Sequence, residues 1–268
     1  MKRLAIHSVP RSGSTWIGSI FDSCPNVAYR FQPLFSYSHK NQLNENSSLI
    51  DIQKFYDDIL NTVDDFVLQK EAISKNLVPS FEKTNITHVV YKEVRYHNIL
   101  NNLLEKDNDI KVVGIIRNPL AVINSWLNAP KEFKKELEWN PNLEWRYAPH
   151  KNEGKPEEYN GYEKWKETAY LFRFLQKKHP DRFYLVKYDD LLGNMIKEIE
   201  NIFNFCGLML SEQTISFLNQ SRNIDKSDEK YSVYRIKNVD TVWQNELPRK
   251  IIEEIREDLM NSVLKQYI

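Results

Sequence analysis

Polar and basic residues concentrate near the amino end of the chain, where together they could bind an anion. The segment Ser8–Trp16 reads Ser-Val-Pro-Arg-Ser-Gly-Ser-Thr-Trp and follows the apolar run Leu4–Ile6. A strand, a tight turn and a helix start bring unpaired backbone N–H groups to the positive end of the helix dipole. Gly13 permits close backbone approach, and Arg11 offers a planar fork of donors suited to phosphate or sulfate. The segment predicts an oxyanion site, although an ordinary capped turn has the same composition.

A second segment has the same character. The run Ile110–Ile116 is nearly all apolar, as expected for a strand buried on both faces of a parallel sheet. It is followed by Arg117-Asn118-Pro119, with the proline where a new helix would begin, and Ser125 lies eight residues after Arg117. Two such turns, each with an arginine, predict a ligand with two separated anionic groups, bound at the carboxyl ends of the strands.

The elements that must position these turns alternate along the chain. The sequence predicts strands near 3–8, 27–31, 86–92, 110–117 and 182–187, and helices near 14–23, 51–75, 97–105, 119–128, 161–178, 195–205, 211–219 and 248–266. This alternation predicts an α/β fold, one domain over 1–268 with a central parallel sheet flanked by helices. Residues 130–160, rich in proline, predict a long loop.

The composition excludes several classes of function. The 268 residues include 37 basic and 37 acidic side chains, so no global field attracts nucleic acid. Only Cys24 and Cys206 are present, which predicts neither a disulfide framework nor a metal cluster. Without a cleavage site or a membrane-length apolar run, the expectation is a cytoplasmic protein with no membrane span.

Both anion-binding segments resemble motifs of one enzyme family. Pro10–Trp16 resembles the 5′-phosphosulfate loop of sulfotransferases that use 3′-phosphoadenosine-5′-phosphosulfate (PAPS), of the carbohydrate and bacterial type. Arg117-Asn118-Pro119 with Ser125 resembles their 3′-phosphate motif. The resemblance implies a P-loop-like nucleotide-binding fold, PAPS as cosubstrate, no metal, and sulfuryl transfer to the hydroxyl of a small-molecule, carbohydrate or glycolipid acceptor. The implied cosubstrate-binding residues are Arg11, Ser12, Gly13, Ser14, Thr15, Trp16, Arg117, Ser125 and, in a later segment, Arg235.

The predicted catalytic residues are Arg11, Gln32 and Glu93. Arg11 would stabilise the leaving phosphate by charge, because a guanidinium does not give up its proton at neutral pH. Carbohydrate members of the family often carry a glutamate where this chain has Gln32, and an amide can orient an acceptor hydroxyl but not deprotonate it. Glu93, at the end of the third strand, is the predicted base; a structural ion pair is the alternative, and His39 and His97 are the next candidates.

Two other classes of protein share part of this pattern. A P-loop kinase or NTPase needs Gly-x-x-x-x-Gly-Lys-Ser/Thr, but position 8 is serine and no lysine follows Gly13. A non-catalytic nucleotide-binding module stays open, since Gln32 replaces a base. The sequence indicates neither the identity of the acceptor nor the oligomeric state.

Overall fold

Five parallel strands form one sheet in the computed structural model, which describes residues 1–224, 231–234 and 240–268. The strands are β1 (Lys2–Ser8), β2 (Val27–Phe31), β3 (His88–Glu93), β4 (Lys111–Ile116) and β5 (Phe183–Lys187). Their order is β2-β3-β1-β4-β5, and every neighbouring pair is parallel. The loops that follow the strands therefore meet at one edge, with the loop after β1 at its centre. The predicted α/β fold with a central parallel sheet is confirmed.

Helices cover both faces of this sheet. They are α1 (Ser14–Asp22), α2 (Leu49–Leu60), α3 (Lys70–Ser74), α4 (Leu100–Lys106), α5 (Pro119–Leu127), α6 (Pro141–Tyr147), α7 (Pro149–Asn152), α8 (Tyr162–Lys178), α9 (Tyr188–Gly193), α10 (Met195–Cys206), α11 (Glu212–Asn223), α12 (Trp243–Glu246) and α13 (Arg249–Leu259). No helix among the described residues is long and apolar enough to cross a membrane.

Two hydrophobic cores lie on opposite faces of the sheet, because successive strand residues point to opposite sides. On β3, Val89 and Tyr91 belong to the core that includes α4, α5 and α8. Val90 belongs to the other core, which includes α1 and α10. A residue near the end of β3 therefore lies either on the α1 side of the sheet or on the opposite side, according to its place in this alternation.

Three predicted elements differ from the structure, and one of them is the predicted helix 248–266, because α13 ends at Leu259. The predicted helix 51–75 is two helices, since α2 ends at Leu60 and α3 begins at Lys70. Between them the Asp64 carboxylate accepts the backbone N–H groups of Phe66 and Val67, which turns the chain. The predicted loop 130–160 contains α6 and α7, and α6 begins at Pro141 with the Asn140 side chain as its cap.

Candidate active site

The loop between β1 and α1 has the geometry of an anion site. Gly13 caps α1 with φ 81°, in the left-handed region that favours glycine. A Cβ atom at Gly13 would also lie 2.3 Å from Cε2 of Tyr188, so a larger residue would not fit. The N–H groups of the first turn of α1 have no partner within the helix and carry the positive end of its dipole. The loop can thus donate several hydrogen bonds to one oxyanion.

A cavity of about 1340 Å³ opens at the carboxyl edge of the sheet in front of this loop. The predicted site residues that line it are Arg11, Gly13, Ser14, Thr15, Trp16, Gln32, Arg117 and Ser125. Ser12 and Glu93 are fully buried and are not among its lining residues. Arg235 lies outside the described residues. The volume of the cavity exceeds that of a typical site for one small molecule, which is about 300–1,000 Å³.

Side chains from the two predicted anion motifs touch each other. The Arg11 Nε atom donates a hydrogen bond to the Ser125 hydroxyl at 3.1 Å. An Arg117 guanidinium nitrogen donates to the backbone carbonyl of Arg11 at 2.5 Å. Because β1 and β4 are neighbours, the loops that follow them lie side by side. The two motifs, more than 100 residues apart in the chain, are thus in direct contact.

Arg117 is paired with a carboxylate that the sequence did not point to. Its guanidinium donates two hydrogen bonds to the two carboxylate oxygens of Asp240, at 2.5 and 2.6 Å. Burial alone would lower the pKa of Arg117, but the hydrogen bond and the charge of Asp240 raise it. The guanidinium also lies 5.1 Å from the ring centre of Tyr188. Arg117 is thus held in a bidentate pair with a carboxylate, the geometry that arginine also frequently adopts with phosphate.

Two further residues on this side of the cavity were not predicted as site residues. Ser221 on α11 accepts a hydrogen bond from the Trp16 indole nitrogen at 3.1 Å. Tyr188 begins α9 and meets the Trp16 ring edge to face, with 6.4 Å between ring centres. Tyr188 follows β5, the neighbour of β4, so its position at the carboxyl edge was the available signal. We call this side, from Arg11 to Tyr188, the anion end.

The opposite end of the cavity is formed after β2 and β3. Gln32, with φ 43°, lies directly after β2, and its side-chain oxygen accepts a hydrogen bond from Arg95 at 3.3 Å. Arg95 is fixed in turn by Glu158, with both oxygens 2.9 Å from its Nε atom. Its guanidinium stacks 3.9 Å from the centre of the Phe35 ring. Gln32 is therefore held in one orientation at the cavity wall.

Three phenylalanines, Phe31, Phe35 and Phe66, cluster beside Gln32 and line the cavity. The Phe66 ring centre lies 5.3 Å from that of Phe31 and 5.8 Å from that of Phe35. Phe35 and Phe66 remain 46% and 41% exposed, and together they form an exposed apolar patch at the cavity wall. We call these three residues the phenylalanine cluster. It offers apolar surface to a bound molecule.

Glu93, the predicted base, does not face the cavity. It is fully buried, and its Oε1 atom accepts the backbone N–H of Leu34 at 2.8 Å. Among the described residues its Oε2 atom has no hydrogen-bond partner, and burial raises the pKa of the carboxyl to about 8. Its register partner on β1 is His7, on the face away from α1. Glu93 holds the turn after β2, and a role as base would need a rearrangement of β3.

The two histidine candidates also lie outside the cavity lining. His39 is held by Gln42 at 3.1 Å and by Thr62 at 2.9 Å. The His97 Nδ1 atom lies 3.0 Å from the Nδ1 atom of His7, in the core on the face of the sheet opposite α1. Burial lowers the pKa of His97 well below its usual value. Neither ring meets the geometric requirement for a base, which is reach to the proton that it accepts.

We expect Glu93→Gln to fold and to keep its turnover within about threefold, because the amide oxygen can still accept the Leu34 N–H. Glu93→Ala should lose about 1–3 kcal/mol of stability, since it leaves that buried N–H unpaired. Thermal unfolding and turnover are measured on the same samples. A stable Glu93→Gln variant with turnover about 10²-fold lower would restore Glu93 as the base.

The comparisons with known proteins agree with this geometry. Residues 2–266 match the family model described as "Sulfotransferase domain". The chain therefore belongs to the sulfotransferase family, which confirms the family and the class of enzyme predicted from the sequence. No curated protein sequence matches the chain significantly.

Several solved structures share the fold. A mouse sulfotransferase complexed with PAP (3′,5′-diphosphoadenosine) has 15% identity and a TM-score of 0.55, and the match covers 99% of this chain and 86% of that chain. The sulfotransferase domain of the Synechococcus PCC 7002 olefin synthase has 16% identity and a TM-score of 0.55, and the match covers 97% of this chain and 94% of that chain. The sulfotransferase domain of the curacin biosynthetic pathway has 17% identity and a TM-score of 0.54, covering 96% of each chain.

Proposed function

We propose that the protein transfers the sulfuryl group of PAPS to a hydroxyl group of an amphipathic acceptor, a glycolipid rather than a free sugar. The anion end of the cavity holds the donor, and the end with Gln32 and the phenylalanine cluster holds the acceptor. The observation that carries the proposal is the contact of Arg11 with Ser125 and of Arg117 with Arg11, which joins two oxyanion sites in one cavity. A nucleotide with separate 3′- and 5′-anionic groups fits such a pair.

The residues of the anion end divide between the two groups of the donor. The first turn of α1, with Gly13, Ser14 and Thr15, holds the 5′ end by backbone N–H groups and hydroxyls. Arg117 and Ser125 hold the 3′-phosphate. Arg11 lies between the two, where it stabilises the charge that develops on the 5′-phosphate as the sulfuryl group departs. Positioning and charge stabilisation are the main contributions to this kind of transfer.

The phenylalanine cluster supports an acceptor with an apolar part. A sugar ring covers less apolar area on the phenylalanine cluster than an alkyl chain does, and its hydroxyls lose hydration on burial unless they find hydrogen-bond partners. A glycolipid places its head group beside Gln32 and Arg95 while its chain covers Phe35 and Phe66. Each buried methylene contributes about 0.8 kcal/mol.

The matched acceptors octyl β-galactoside and methyl β-galactoside test this choice, because they differ only in the alkyl chain. With labelled PAPS we expect kcat/KM to be about 10-fold or more higher for the octyl compound. Phe66→Ser should remove most of that preference without changing the affinity for PAP, the product 3′,5′-diphosphoadenosine. Equal rates for the two galactosides would contradict an amphipathic acceptor. Tight PAP binding with no transfer to any hydroxyl compound would instead support the non-catalytic module.

A further inference from the structure

Lys92 lines the cavity between the two ends, although only 1% of its surface is exposed. It is the penultimate residue of β3, with Ile6 of β1 and Phe31 of β2 as its register partners. Its carbonyl accepts the backbone N–H of Gln32 at 2.8 Å. The sheet thus fixes Lys92 from both sides, on the face of α1 and next to the residue that orients the acceptor.

The Lys92 amine lacks the counter-ion that Arg95 and Arg117 have in the same cavity. Arg95 and Arg117 each meet a carboxylate within 3 Å. Within residues 1–224, 231–234 and 240–268, no carboxylate oxygen lies within the 4.0 Å of an ion pair from the Lys92 Nζ atom. That atom lies 4.2 Å from the centre of the Phe31 ring instead. A buried amine with no ion-pair partner is driven toward its neutral form.

The charges around Lys92 shift its pKa in both directions. Burial, the largest effect, lowers the pKa of Lys92 to about 7, while Glu93 and Glu132 oppose this and Arg95 and Arg11 add to it. Burial also favours the neutral form of Glu93, whose pKa it raises to about 8. Burial therefore shifts Lys92 toward the free amine, which has an available lone pair, relative to an exposed lysine.

We propose that Lys92 is the catalytic base that accepts the proton of the acceptor hydroxyl. The inference rests on the proposed function and supplies the base that neither Gln32 nor Glu93 provides. As the acceptor oxygen bonds to sulfur, the bond from sulfur to the bridging oxygen breaks and its electron pair stays on the 5′-phosphate. The hydroxyl proton moves to the Lys92 Nζ atom, and the ammonium then releases it to water.

The other lysines of the cavity are less suited to this role. Lys75 is paired with Glu71 at 2.5 Å, and more than half of its side chain is exposed. Lys151 lies 3.9 Å from Glu132. Lys131 is exposed and stacks 4.7 Å from the centre of the Tyr231 ring. Each keeps water or a carboxylate beside its charge, which favours the ammonium form.

The titration of Lys92 can be observed directly, without activity. NMR of protein labelled with ¹³C at the lysine ε-carbons is recorded from about pH 5 to about pH 10, and Lys92→Met assigns the resonance. We expect the resonance that is lost in the variant to titrate near pH 7, the pKa given above. A Lys92 resonance that titrates above about pH 9.5, in the range of exposed lysines, would overturn the proposal.

Two substitutions separate a base from a fixed positive charge. Lys92→Arg keeps the charge but cannot accept a proton, so turnover should fall about 10²–10⁴-fold in both Lys92→Arg and Lys92→Met. PAP affinity by calorimetry should change less than about threefold in either variant, and exposed Lys54→Met is the control. Lys92→Arg with turnover within about threefold of the wild type would overturn the proposal.

The pH dependence distinguishes failure of this inference from failure of the proposed function. Wild-type turnover should rise as the pH passes through about 7 from below, because the deprotonated amine is the active form. Turnover that falls over the same interval would contradict Lys92 as base while leaving sulfuryl transfer intact. A wild-type protein that transfers no sulfuryl group to any acceptor would contradict the proposed function, whereas the NMR titration would still report on Lys92.

Discussion

Replacing Arg11 by alanine should lower turnover by about 10²–10³-fold, the usual cost of losing one donor to a developing negative charge. The affinity for PAP should fall much less, because the charge on the 5′-phosphate grows only as the sulfuryl group leaves. In the structure Arg11 contacts Ser125 and lies 5.4 Å from the ring centre of Tyr231, so its guanidinium is already placed at the anion end. Steady-state kinetics with saturating donor, together with calorimetry, measure the two effects.

The backbone at Arg11 requires its own control. Its φ of 68° is left-handed, which strains any residue with a Cβ atom and is easy for glycine. Arg11→Gly should therefore be folded at least as well as Arg11→Ala and be equally inactive. If Arg11→Gly recovered most of the turnover, the loss in Arg11→Ala would come from backbone strain and not from the missing guanidinium.

Replacing Arg117 by alanine should weaken PAP binding by about 10²-fold, because a bidentate charged contact contributes about 1.5–3 kcal/mol or more. The affinity for 5′-AMP, which lacks the 3′-phosphate, should change by less than about threefold. Calorimetry with both nucleotides on both proteins gives the comparison. An Arg117→Ala variant that bound PAP normally would contradict the assignment of the second motif and leave Arg117 with a structural role, through its contacts with Asp240 and the Arg11 carbonyl.

Replacing Asp240 by asparagine tests the role of Arg117 in a second way, because it should change PAP affinity in the direction opposite to Arg117→Ala. If the 3′-phosphate must take the place of the Asp240 carboxylate on Arg117, Asp240→Asn should tighten PAP binding while lowering the melting temperature without ligand. The buried guanidinium loses its counter-ion in the variant, and a bound phosphate restores one. The rise in melting temperature on adding PAP should therefore be larger in Asp240→Asn than in the wild type. Weaker PAP binding in the variant would show that Asp240 supports the site instead.

The fold was largely predictable from the sequence because its strands are short apolar runs that end in turns with glycine, proline or arginine. The run Ile110–Ile116 before Arg117 and the run Leu4–Ile6 before Ser8 each mark a buried strand and the loop after it. Parallel strands place such loops at one edge, so the convergence of Arg11, Ser125 and Arg117 followed from topology alone.

The proposed base, Lys92, could not be predicted in the same way. Lys92 and Glu93 are adjacent, so one points to α1 and the other to the opposite core. Every residue of β3 is buried, and its pattern of apolar residues therefore does not show whether Lys92 or Glu93 faces α1. The orientation is set by the pairing of Lys92 with Ile6 and Phe31, which only the assembled sheet contains.

Long-range partners were also hidden in the sequence. Asp240 lies 123 residues after Arg117, in a stretch with no regular pattern to place it. Glu158, which fixes Arg95 and through it Gln32, lies in the segment predicted as a long loop. Neither acidic residue differs locally from a solvated surface carboxylate, so their pairing depends on tertiary structure.

Calorimetric titration of the wild-type protein with PAP, 5′-AMP and ATP tests most directly the claim that two joined oxyanion sites bind a 3′,5′-bisphosphorylated nucleotide. The geometry of Arg11, Ser125 and Arg117 predicts that PAP binds about 10²-fold more tightly than 5′-AMP and more tightly than ATP. ATP places all its phosphates at the 5′ end and leaves Arg117 without a 3′-phosphate. Binding of ATP as tight as that of PAP, or no difference between PAP and 5′-AMP, would contradict the account.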